Sequence, residues 1–123
     1  MLDLIVPDWP APASVHALST TRSGGRSAAP YESFNLGDHV GDDPAAVAAN
    51  RGLLDRHMSA APRWLRQVHG TRCIDADTGA DGAEADASFA RSPRRACAVL
   101  TADCLPLLFC DEAGSVVAAA HAG

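Results

Sequence analysis

The sequence predicts a mixed fold, α+β or α/β in a sandwich arrangement. Three observations lead there. Short apolar runs of strand length recur between Pro, Gly and Asp signals. One stretch alone carries a helical period together with its own N-terminal cap. Strands and helix follow each other in no regular alternation, and no internal repeat is present. At 123 residues the chain is one domain, or a piece of one.

Leu2 to Val6 reads as a short strand ended by Pro7. Val15 to Thr21 reads as a second, with Val15, Ala17 and Ser19 on one face. Arg22-Ser-Gly-Gly-Arg26 opens a loop rich in Pro, Tyr, Asn and Gly that runs to Asp43. A structureless connection of that length inside a compact domain tends to be functional. Asp43 is the predicted N-cap of a helix and Pro44 its first residue. Val47, Asn50, Leu54 and Met58 share one stripe, and Pro62 places the helix end near Ser59. Arg63 to Val68 is a strand interrupted by His69-Gly70, and Thr71 to Ala76 resumes it. Glu84 to Ala90 reads as one helical turn or an irregular crossing, and Ala96 to Thr101 as a buried strand. Leu105 to His121 reads as two apolar strands around Asp111-Glu-Ala-Gly114.

Composition narrows the function. The net charge is −5 and all ten basic residues are arginine, none forming a stripe that could release counterions from a nucleic acid. Arg91-Ser-Pro-Arg-Arg95 reads as a solvated loop. No apolar run is long enough to span a bilayer, and the N-terminus lacks the basic and apolar regions of a signal peptide. A cytoplasmic protein with reduced thiols is the expectation, with no nucleic-acid or membrane partner. The four cysteines form no Cys-x-x-Cys pair. The sequence stops two residues beyond an apolar strand, which reads as the N-terminal part of a longer protein.

The hairpin carries the first chemical signal. If Asp111 and Gly114 flank a two-residue turn, the register sets Cys104 opposite His121. Directly opposed residues have Cβ atoms about 5 Å apart, near enough to share a metal ion or a proton. A slip of one residue would send one of them to the other face. Cys104 is then either a small buried hydrophobe, a nucleophile paired with His121, or a ligand. Cys73, Cys97 and Cys110 read as packing residues. His69 precedes Gly70 at a strand break, and two histidines with one cysteine would make an open three-ligand site. The intervals between these residues match no simple metal motif. Arg22-Ser-Gly-Gly-Arg26 is either a polar turn or a phosphate cradle.

Several segments together resemble the YfiH-type family, variously called laccase-domain, polyphenol oxidase or purine nucleoside phosphorylase proteins. They are Ser19 to Gly25, Asn35 to Pro44, Asn50-Arg51, Trp64 to Gly70, Ala85-Asp-Ala87, Thr101 to Pro106 and Ala119 to Gly123. The resemblance implies an α-β-β-α sandwich related to cytotoxic necrotizing factor-like cysteine hydrolases, seen here as the N-terminal portion, residues 1–123, of a single domain that continues past His-Ala-Gly. It implies a Zn2+ site on His69, Cys104 and His121, which would also be the catalytic residues. It implies phosphorolysis of adenosine, inosine, guanosine and methylthioadenosine, with adenosine deamination, so that purine nucleoside and phosphate are the expected partners. Arg22, Asn35 and Gln67 are the candidate substrate or phosphate contacts. Two further readings remain: a cysteine hydrolase or deamidase using Cys104 and His121, and a non-enzymatic metal-binding module. A multicopper oxidase would need far more than the five histidines present, and no His-x-His pair occurs.

Overall fold

The structure is a computed structural model describing residues 1–123. It is α+β, with one helix and ten short strands. The chain divides into two compact units, Met1–Trp9 with Ala17–Met58, and Pro10–His16 with Ser59–Gly123.

In the first unit β1 (Leu4–Ile5) pairs antiparallel with β2 (Ser19–Thr20), Leu4 opposite Thr20. Both are shorter than the apolar runs that contain them. The helix α1 (Pro44–Asp55) starts where its local chemistry says it must. Asp43 Oδ1 accepts from the Ala45 N–H at 3.0 Å, satisfying one of the free donors of the first turn. Val47, Asn50 and Leu54 form its buried stripe. The helix ends at Asp55 rather than near Ser59. The His57 and Met58 N–H groups turn back to the carbonyls of Leu54 and Asp55, three residues earlier, so the last turn tightens. Pro62 then favours an extended Ala61, where the next strand begins.

The long loop is held to the helix by polar side chains rather than by strands. Asn50 is fully buried and sits at the centre. Its amide donates to the Asn35 carbonyl at 2.7 Å and to Ser27 Oγ at 2.9 Å, and its oxygen accepts from the Arg26 N–H at 2.7 Å. Arg51 donates twice to the Leu36 carbonyl. Gly25 has no room for a side chain, since a Cβ would lie 2.2 Å from the Ser33 carbonyl oxygen.

The second unit is built on a four-stranded mixed sheet. With β3 (Ala61–Arg63), β4 (Leu65–Arg66), β5 (Cys73–Asp75), β6 (Ala83–Glu84), β7 (Ala87–Ala90), β8 (Arg95–Cys97), β9 (Leu105–Cys110) and β10 (Val117–Ala122), the sheet order is β5-β7-β10-β9. The β5–β7 pair is parallel, and the other two are antiparallel. Two parallel two-stranded pairs, β3 with β8 and β4 with β6, complete the unit. Residues 84–90 are therefore strands joined by a short crossing, not a helical turn. Their small residues fit between β5 and β10, and Ser88 and Ala119, opposite each other, are both buried. Pairing on both sides overrides the helix preference of alanine. Of the predicted buried strand Ala96 to Thr101 only Ala96 and Cys97 are paired, and Ala96 to Leu100 are half-buried.

The hairpin register differs from the expected one. Val117 faces Cys110 and His121 faces Pro106, a shift of two residues. The reason lies in Asp111. Its carboxylate accepts from the N–H groups of Ser115 at 2.7 Å and Val116 at 3.1 Å, and from the Ser115 hydroxyl. That fixes a four-residue loop in which Gly114 takes the left-handed conformation, φ 71°. An even shift keeps every side chain on its face. Cys104 thus lies just before β9, still on the side of His121.

Candidate metal centre

Three segments of the second unit bring His69, Cys104 and His121 together. One ligand atom of each lies within 4.8 Å of the others. Cys104 Sγ is 3.8 Å from His69 Nε2. The two imidazoles meet edge to face, with ring centroids 4.8 Å apart. His121 is buried, on the inward face of the central strand β10, while His69 is exposed and Cys104 half-buried.

The order at this site comes from a residue with no role assigned on sequence grounds, Asp86. It is 2% exposed and placed just before β7. Its carboxylate collects four donors. Oδ1 accepts from the backbone N–H groups of Val68 at 3.0 Å and Gly70 at 2.9 Å. Oδ2 accepts from the His69 N–H at 3.0 Å and from His121 Nδ1 at 2.9 Å. The backbone adds a fifth link, His121 N–H to the Asp86 carbonyl at 2.7 Å. Burial alone would raise the carboxyl's pKa. The Val68 and Gly70 N–H groups, the His121 ring and the His69 N–H outweigh it and hold it at about 2. Asp86 is therefore an anion at neutral pH and can only accept. His121 must donate from Nδ1, which leaves Nε2 as its lone-pair nitrogen.

The same carboxylate explains the backbone at His69. His69 has φ 58°, the left-handed region that a side-chain-bearing residue enters at a cost of about 1–2 kcal/mol. Three consecutive N–H groups, Val68 to Gly70, converge on Asp86 and hold the turn. The special conformation thus belongs to His69 and not to the glycine after it. A Cβ at Gly70 would meet only ordinary contacts at 3.6 Å and beyond. Gly123 is different, because a Cβ there would lie 2.5 Å from His69 Cδ2 and 3.2 Å from His121 Cε1.

Cys104 is held as a thiol. Burial, then the charge of neighbouring Asp103 and a hydrogen bond to it, push its pKa up. Thiolate chemistry there needs a cation close by. The donor set fits a metal ion on its own chemistry. Two imidazole nitrogens and a cysteine sulfur that binds as the thiolate suit zinc, and three protein ligands leave a fourth position open. Around tetrahedral zinc a thiolate sulfur and an imidazole nitrogen sit about 3.6 Å apart, close to the 3.8 Å between Cys104 and His69.

The other candidate residues are placed as follows. The Gln67 amide is engaged at both ends by the Leu100 backbone, donating to its carbonyl at 2.8 Å and accepting from its N–H at 2.7 Å. It ties the segment before His69 to the segment leading to Cys104. Arg22 and Asn35 belong to the first unit. Arg22 is exposed and donates from Nε to the Glu32 carbonyl. The Asn35 amide donates to the Gly37 carbonyl and to Asp42 Oδ2, and its oxygen accepts from the Gly37 N–H.

Fold and site together define an α+β protein with a His-Cys-His candidate metal centre. Residues 16–123 match the family described as multi-copper polyphenol oxidoreductase laccase, and the chain belongs to that family. A purine nucleoside phosphorylase of Pseudomonas aeruginosa is 56% identical over 119 residues, 97% of this chain and 49% of that protein. The purine nucleoside phosphorylase YfiH of Escherichia coli is 52% identical over 127 residues, covering all of this chain and 52% of that protein. Among solved structures, a Neisseria meningitidis protein superposes with a TM-score of 0.94 at 50% identity, over 98% of this chain and 50% of that one. The YfiH protein of Bacillus licheniformis gives 0.74 at 28% identity, over 88% of this chain and 45% of that one. The chain spans about half the length of the curated relatives it matches. No helix is long and apolar enough to cross a membrane.

Proposed function

We propose that this chain is the N-terminal portion of a cytoplasmic, zinc-dependent purine nucleoside phosphorylase. Its substrates would be adenosine, inosine, guanosine and methylthioadenosine together with phosphate, and it would also deaminate adenosine. The observation that carries the reading is the convergence of His69, Cys104 and His121 in a chain whose relatives are named purine nucleoside phosphorylases.

His69, Cys104 and His121 would hold the ion. Zinc in such a site supplies Lewis acidity and lowers the pKa of water to about 7. Asp86 keeps the His121 lone pair at Nε2. In phosphorolysis a phosphate oxygen bonds to the ribose carbon as its bond to the purine nitrogen breaks, the electron pair leaving with the base. The entering phosphate needs a cationic cradle, and the Arg22 loop is our candidate for it. Both amide ends of Asn35 and Gln67 are engaged within the protein, so their support for substrate runs through the loops they fix.

The copper reading has weaker support. A His-His-Cys set also occurs in blue-copper sites, but a multicopper oxidase needs additional histidine-rich centres. Only one metal-capable group forms here, and His16, His39 and His57 are outside it. A cysteine hydrolase is favoured by one observation, the Asp86–His121 bond that orients the imidazole as a triad would. The raised Cys104 thiol opposes it.

The test is product chromatography on adenosine with the full-length protein. Phosphate-dependent release of adenine that is lost in Cys104→Ala and on chelation supports the proposal. Chelator-insensitive turnover with rapid alkylation of Cys104 would favour the hydrolase instead.

A further inference from the structure

We propose that Asp86 is a positioning residue that sets two of the three ligands at once, fixing the backbone that presents His69 and the ring nitrogen that His121 offers. The inference rests on the metal reading above and concerns how the chain prepares that site. One carboxylate oxygen pins Val68 and Gly70, and the other pins His69 and His121. Asp86 is 2% exposed, so no water is at hand to replace a lost acceptor. The four donors converge from two separate segments, and no other acidic group bonds to either histidine ligand. A carboxylate behind a ligand histidine sets its tautomer and orientation. Here the same carboxylate also holds the left-handed turn at the second histidine.

Asp86→Asn separates the two oxygens. The amide keeps one oxygen, which at the Oδ1 position still accepts from Val68 and Gly70. Its NH2 then faces the His69 N–H, which loses its acceptor, and His121 Nδ1, which must accept, so the ring proton moves to Nε2, the nitrogen needed for the metal.

Nitrogen-15 NMR of the metal-free protein at alkaline pH reads the His121 tautomer directly, and zinc affinity is read separately by competition with a chromophoric chelator. The expected results are an Nδ1–H tautomer in the wild type, an Nε2–H tautomer in Asp86→Asn, and zinc affinity about 10–100-fold weaker in the variant. An Nε2–H tautomer in the wild type, or wild-type zinc affinity in Asp86→Asn, overturns the proposal. If the variant does not fold, the wild-type tautomer decides alone. Absence of zinc binding by the wild-type protein would overturn the metal reading, whereas the tautomer measurement bears on Asp86 itself.

Discussion

Asn50 offers a quantitative test of how the loop is held. Its NH2 faces oxygens only: the Asn35 carbonyl, Ser27 Oγ and the Ser33 carbonyl. Its Oδ1 faces the Arg26 N–H. Asn50→Ala removes a fully buried amide and leaves the Asn35 carbonyl and the Arg26 N–H without their partner. At about 1–2 kcal/mol for each orphaned group, a loss of about 3 kcal/mol follows. Asn50→Asp keeps the acceptor toward Arg26 but turns a second oxygen toward three oxygens. Asp42, whose Oδ2 already accepts from Ser27, adds another negative charge nearby. The aspartate variant should therefore lose at least as much as alanine, although it differs from asparagine by one group. Urea unfolding followed by circular dichroism measures both losses. An Asn50→Asp protein within about 0.5 kcal/mol of wild type, the range of an ordinary surface change, would refute the reasoning.

Three further outcomes follow from the second unit. The folded Asp86 carboxyl titrates at about 2, below the ordinary carboxylate value, so the unfolded chain binds more protons between the two. Its contribution to stability is whole above about pH 4 and is lost as pH falls through about 2. An acid titration of metal-free protein compared with Asp86→Asn should show that slope missing in the variant. Gly123→Ala forces the exposed His69 ring away from a Cβ at 2.5 Å. Zinc affinity should fall by about tenfold or more while unfolding free energy changes little, because ligand geometry tolerates only about 0.2 Å; chelator competition beside thermal melting separates the two. Gln67→Ala frees the Leu100 N–H and carbonyl. It should cost about 1–3 kcal/mol and weaken zinc binding, read by the same pair of assays.

Local rules were legible in the sequence and long-range partners were not. Asp43 and Pro44 place the helix start because cap and first turn are adjacent residues. The face shared by Cys104 and His121 was legible from alternation. The register was not, because the same Asp-Glu-Ala-Gly segment can close a two-residue or a four-residue loop, and the Asp111 side chain decides between them. Residues 84–90 read as one helical turn or an irregular crossing rather than a strand, because their pairing partners, β5 and β10, lie elsewhere in the chain. His69 was a candidate from its place before Gly70 at a strand break, but spacing did not select it as the third ligand; the family resemblance did. Asp86 sat within a recognised segment, but its partners are backbone N–H groups 16 to 18 residues away and an imidazole 35 away. No periodicity reports such bonds. An acid among small residues, in a segment too apolar for a solvated loop, was the one available sign.

The central claim is that His69, Cys104 and His121 form one metal site. The most direct measurement is metal content by plasma mass spectrometry on full-length protein, for the wild type and for His69→Ala, Cys104→Ala and His121→Ala purified in parallel. The wild type should carry one zinc per chain, and each variant should lose it with the fold retained. Zinc retained in full by any of the three variants, or stoichiometric copper in place of zinc, would contradict it.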